Sequence, residues 1–99
     1  MARPLPLCGG MLRIHRDDVD EHRAVLILEG RIAGAWTGLL ERECEALIEG
    51  GLGVDLDLSE VVYVARAGLD GLRRLRHAGV RITDCSPLLA AMLEHEGIR

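Results

Sequence analysis

Hydrophobic and polar residues change their spacing several times along this chain, and each change predicts an element. The stretch Gly53 to Leu72, GVDLDLSEVVYVARAGLDGL, is the most informative. Val54, Leu56 and Leu58 alternate with Asp55 and Asp57, the period of a half-buried strand. Val61 to Val64 is a second short β-prone run, and Ala67, Gly68, Leu69 and Leu72 then switch to helical spacing. Upstream, Met11 to His15 alternates as a short strand. Arg16 to His22 reads as a charged turn. Arg23 to Glu29 reads as a second strand, whose unbroken apolar run Ala24 to Leu28 predicts burial on both faces. So short a turn between two strands implies an antiparallel hairpin.

Gly30 ends that strand, and residues 31–34 form a connection. From Ala35, Trp36, Leu40, Cys44, Leu47 and Ile48 recur on one helical face until Gly50-Gly51 stops the helix. A second helix spans roughly Arg66 to Ala78, with Leu69, Leu72 and Leu75 inward and Arg73, Arg74, Arg76 and His77 outward. Val80 to Thr83 is the last strand. Ser86-Pro87 starts a final helix, since Ser accepts an N–H bond and Pro fits the first helical position. Its inner stripe is Leu89, Met92 and Leu93. Residues 1–10, with Pro4, Pro6 and Gly9-Gly10, read as a flexible tail, and residues 11–99 as one domain. The class is α/β: a mixed sheet of about four strands, with a first antiparallel edge and later strands joined by right-handed crossovers. Asp55 and Asp57 on one face of the central strand place the three helices mainly on the other.

Composition narrows the chemistry. The chain has 99 residues and is 48% hydrophobic, with no Phe, so its core must be aliphatic. The net charge of −4 argues against general nucleic-acid binding. All 12 basic residues are Arg, which removes a Schiff-base or phosphate-loop lysine. Cys8, Cys44 and Cys85 lack metal-ligand spacing and read as reduced thiols of a cytoplasmic protein. No stretch is long enough to span a membrane. His95-Glu96 begins a zinc-protease pattern, but residue 99 is Arg rather than His. No nucleophile, base and orienting acid fall within one local motif, so no enzyme and no cofactor is expected.

Four pieces in this order resemble the STAS domain, named for sulfate transporters and anti-sigma factor antagonists. They are Leu28-Glu29-Gly30-Arg31-Ile32, Asp57-Leu58-Ser59-Glu60-Val61, Ala67-Gly68-Leu69, and Ser86-Pro87 with its aliphatic helix. Together they cover about residues 12–97. In the family's regulatory members, the serine of an Asp-Ser-x-Gly motif is phosphorylated by a partner kinase that is also the anti-sigma factor. The added charge breaks their contact. Here those two positions are Ala65 and Arg66, the acidic residue expected after Ile32 is Ala33, and the second helix is short. Arg31, Ala33-Gly34 and Trp36 are more like a short bacterial branch of the family. The resemblance therefore implies a bacterial regulatory, protein-binding module without the usual serine switch. It implies an anti-sigma factor or kinase-like partner, and leaves a homodimer open.

The candidate site is the corner at Val64–Gly68, with the connection at Ile32–Trp36 and the outer face of the second helix. Arg66, Ala67, Gly68, Asp57, Ala33, Trp36 and Arg73 are its residues. A cation in the first turn opposes the helix dipole. Arg66 either points to solvent or pairs with Asp57 or Glu60, or it anchors an acidic partner or small anion beside the helix tip. The alternative function is a small-ligand sensor that holds a nucleotide or anion at this corner. Asp55 and Asp57 read as solvent-facing or structural rather than metal-binding. Trp36 reads as packing, or as an anchor at a surface edge. Cys85, where a strand ends, reads as a partly buried structural thiol or an exposed one.

Overall fold

The computed structural model describes residues 12–98. The tail predicted for residues 1–10, and Met11 of the first strand, lie outside the described residues. The elements follow as β1 (Leu12–Asp20), β2 (Arg23–Ile32), α1 (Ala35–Glu49), β3 (Gly53–Val64), α2 (Arg66–His77), β4 (Arg81–Cys85) and α3 (Pro87–His95). The four strands make one sheet in the order β1-β2-β3-β4. β1 runs antiparallel to β2, while β2, β3 and β4 are parallel. This is the mixed sheet with three helices that the sequence predicts.

Three elements are longer than their patterns suggest. The charged segment after His15 continues β1 as far as Asp20, and only Glu21 and His22 form the turn. An edge strand facing water has no need of apolar residues, and charges there discourage pairing with other chains. The Asp20 carboxylate accepts the His22 N–H at 2.7 Å, so an Asx-type bond fixes the reversal. β2 runs through Gly30 to Ile32, and β4 starts one residue later than predicted and ends at Cys85.

β3 is a single strand of 12 residues, not two runs joined by a connection. Asp57 pairs with Ile27 and Glu60 with Glu29, so two β3 residues oppose Leu28. Val61 pairs with Gly30 and Tyr63 with Arg31, which leaves Val62 without an opposite number. Each β-bulge adds one residue and resets which side chains face inward. Buried apolar positions therefore step by two up to Leu58 and by three thereafter, at Val61 and Val64.

The helices pack on one side of the sheet. Leu26, Leu28 and Ile32 of β2 and Val54, Leu56, Leu58, Val61 and Val64 of β3 meet Leu40, Leu72, Leu75, Leu89 and Leu93 there. Val25 and Ile27 are only half-buried, so β2 is covered on one side rather than two. Ser86 caps α3 as its sequence suggests, accepting the Leu89 N–H at 3.3 Å.

Candidate functional site

The corner forms where β3 delivers its last residue to α2. The second bulge turns Val64 inward, and Ala65, in extended conformation, is the N-cap of α2. The Ala65 N–H bonds the Ile32 carbonyl at 3.0 Å, tying the start of α2 to the end of β2. No side chain caps this helix and no acidic residue lies in its first turn. The approach is close: a Cβ on Gly68 would stand 2.5 Å from the Ile32 carbonyl oxygen. Only glycine lets α2 reach the sheet at this point.

Arg66 is the first residue of α2, with 65% of its side chain exposed. Its partners are neither Asp57 nor Glu60. Arg66 Nη1 donates to Glu96 Oε1 at 2.9 Å, and Nε lies 4.0 Å from Asp70. Arg73 donates to the same carboxylate at 3.4 Å and to the Glu96 backbone carbonyl at 2.8 Å. Arg76 Nε donates to the Ile98 carbonyl at 2.9 Å. The Arg66 hydrogen bond is the largest influence holding the Glu96 carboxyl below its usual range, and Arg73 adds to it. On the other flank Arg74 forms two hydrogen bonds to Glu41 of α1, at 2.9 and 2.8 Å. The outward arginines of α2 thus do more than meet solvent: they hold the segment after α3 on one side and α1 on the other.

The remaining predicted residues divide. Ala67 is exposed beside Arg66, and Ala33 is half-buried at the end of β2. Asp57 serves its own strand, accepting the Ser59 N–H at 2.9 Å and the Ser59 hydroxyl at 2.7 Å across the first bulge. Trp36 is 9% exposed and belongs to the core. Cys44 is fully buried, and burial pushes its thiol up to about 12, which makes it inert. Cys85 is half-buried.

Two groups escaped the sequence reading. Glu96 is one, because nothing in the pattern of α3 places it beside α2. The other is on the helix-free side of the sheet, where Asp55 is only 5% exposed. Arg81, directly opposite on β4, donates to both of its oxygens at 3.0 and 3.1 Å, and Arg23 of β2 donates at 2.7 Å. These hydrogen bonds, Arg81 first, hold the Asp55 carboxyl below its usual range. Gly53 makes room, since a Cβ there would come within 3.0 Å of the Arg23 guanidinium. The charge pattern carried a signal for this cluster, but only the strand register reveals it. Asp55 is structural; among the described residues no group of three or more His, Cys, Asp or Glu is placed to hold a metal ion. No helix among them is long and apolar enough to cross a membrane.

No protein-family model matches the chain, and no curated protein matches it. Solved structures do. An anti-sigma factor antagonist from Mycobacterium paratuberculosis superposes with a TM-score of 0.74 at 18% identity, over 88% of this chain and 79% of that one. The unphosphorylated form of the anti-sigma factor antagonist SpoIIAA gives 0.69 at 17% identity, over 86% and 81%. This chain has the STAS fold. A structure described as Mglu also resembles it, with a TM-score of 0.55 at 26% identity, over 74% of this chain and 19% of that one. Within the STAS fold of this chain, the corner before α2 presents Arg66 and Ala67 to solvent, with Glu96 drawn across from the segment after α3.

Proposed function

We propose that this chain is a non-catalytic protein-docking module of the anti-sigma factor antagonist kind, acting in the bacterial cytoplasm and not switchable by serine phosphorylation at the corner. The observation that carries the reading is Arg66 at the exposed first position of α2, in a fold otherwise like that of the antagonists. No serine or threonine lies between Ser59 and Thr83, so the corner offers no aliphatic hydroxyl to a kinase. A guanidinium there is a constant charge where a phosphate would be a reversible one. The small-anion alternative is the weaker one, because the arginines of α2 are strung along the helix rather than gathered around one point.

The test mixes the purified chain with an anti-sigma factor of the ATPase-like class, with and without ATP. Binding that ATP does not abolish, with no phosphate on the chain by mass spectrometry, is the expected result. Arg66→Ser restores a hydroxyl and is expected to become phosphorylated and released. Absence of binding in both conditions, or phosphate on the wild-type corner, overturns the reading.

A further inference from the structure

We infer that α2 and the segment after α3 form a self-capped receptor for an acidic segment of a protein partner, with Glu96 standing where a partner carboxylate would bind. This rests on the docking role above and names the chemistry of the partner.

Arg66, Asp70, Arg73 and His77 follow one another at four-, three- and four-residue steps, so they form one stripe along α2. Arg76 stands beside the stripe, one turn from Arg73. Against these three arginines the molecule sets two carboxylates, Asp70 and Glu96, and three backbone carbonyls, those of Glu96, Ile98 and Val80. Arg66 remains largely exposed and donates to Glu96 through Nη1 alone, out of five N–H donors on a guanidinium. An open hollow lined by Arg73, Arg76, His77, Gly97 and Ile98 continues the stripe. The excess positive charge is local, because the whole chain carries −4. A local patch of opposite sign on an acidic molecule orients a partner as it arrives.

Glu96 shows what the patch accepts. Its carboxylate lies between two guanidiniums that belong to another helix, the arrangement an incoming Asp or Glu would adopt. Spacing favours a polypeptide over a single small anion. Ten residues of helix separate Arg66 from Arg76, roughly 15 Å along the axis. One phosphate spans only a fraction of that length, whereas carboxylates at successive positions of a segment cover it. Glu96 is then a built-in competitor that lowers affinity until a partner with several carboxylates displaces it.

A fluorescein-labelled glutamate hexapeptide tests this by anisotropy. Glu96→Gln is expected to bind it about fivefold more tightly than wild type, a difference of the size that losing one competing ion pair supports. Glu94→Gln makes the same change in net charge on an exposed part of α3 and is expected to leave binding at the wild-type level. Raising salt from about 0.05 M to about 0.5 M is expected to weaken both. Arg66→Gln, at an exposed position in the wild-type background, is expected to weaken binding severalfold, and it reads the site even if Glu96→Gln folds poorly. Equal affinities for the two glutamate variants overturn the inference. So does inorganic phosphate that competes as well as the hexapeptide, which would mark a small-anion site. So does dimerisation of the chain that excludes the probe, which would mark a contact between copies. Failure of an anti-sigma factor to bind while the hexapeptide behaves as expected removes the antagonist role and leaves this site standing.

Discussion

Arg81 grips both oxygens of Asp55 across the β3–β4 pair, at 3.0 and 3.1 Å, on the side of the sheet that no helix covers. Arg23 reaches the same carboxylate from β2 at 2.7 Å. One acidic side chain therefore links three strands. Asp55→Asn keeps the shape but removes the charge, and is expected to cost about 1–2 kcal/mol, because both arginines can return to water. Urea denaturation measures the loss. A double-mutant cycle with Arg81→Gln should show coupling, and a cycle with Arg74→Gln, on the opposite side of the sheet, should not.

The same carboxyl sets a pH dependence. Its pKa is lowered on folding from an ordinary value of 3.8, so the unfolded chain takes up the proton first as pH falls. Its contribution is complete above the unfolded value and is lost as pH drops from there through the folded one. Glu41, held down by Arg74, and Glu96, held down by Arg66 and Arg73, act in the same direction. The urea midpoint is expected to be flat from about pH 7 to pH 5 as far as these groups decide it, and to fall steeply below about pH 4. Asp55→Asn should make that fall shallower.

Two glycines in helices give opposite outcomes on replacement by alanine. At Gly68 the new Cβ meets the Ile32 carbonyl at 2.5 Å and Val64 at 2.9 Å, so overpacking outweighs the better helix propensity. A net loss of about 1–3 kcal/mol is expected. At Gly38 the nearest atom is the end of the Arg42 side chain at 4.0 Å, and a gain of up to about 1 kcal/mol is expected. Thermal denaturation of the two variants side by side decides it.

Cys44 should behave as a hydrophobic residue. Its thiol is buried and pushed up to about 12 by that burial and by Glu43, Glu45 and Glu41. In a Cys8→Ser, Cys85→Ser background, a thiol reagent at about pH 8 is expected to label Cys44 only once urea unfolds the chain. Prompt labelling in native buffer would place it elsewhere.

The order of elements was legible because amphipathic spacing reports burial, and the helices bury one stripe each. Trp36, Leu40 and Cys44 of α1 and Leu69, Leu72 and Leu75 of α2 all lie in the core as their spacing predicts. Alternation failed at β3. Counted by twos from Leu58, it would send Glu60 inward, and a bulge prevents that. It failed in the second half of β1, from Arg16 to Asp20, because that part of the edge strand is exposed and has no apolar side to report. At the corner, the position of Arg66 at the helix start was legible and its partner was not. Glu96 lies thirty residues further on, and local spacing carries no record of a contact made by the return of the chain.

The two surplus residues of β3 store roughly 7 Å of chain at an extended rise per residue. Because the slack lies at two separate points, gain or loss of one residue at Ser59 or Val62 can re-aim the tip of α2 without disturbing Leu58, Val61 or Val64. A contact surface mounted there is adjustable from beneath, by changes in strand length that leave the side chains of α2 as they were.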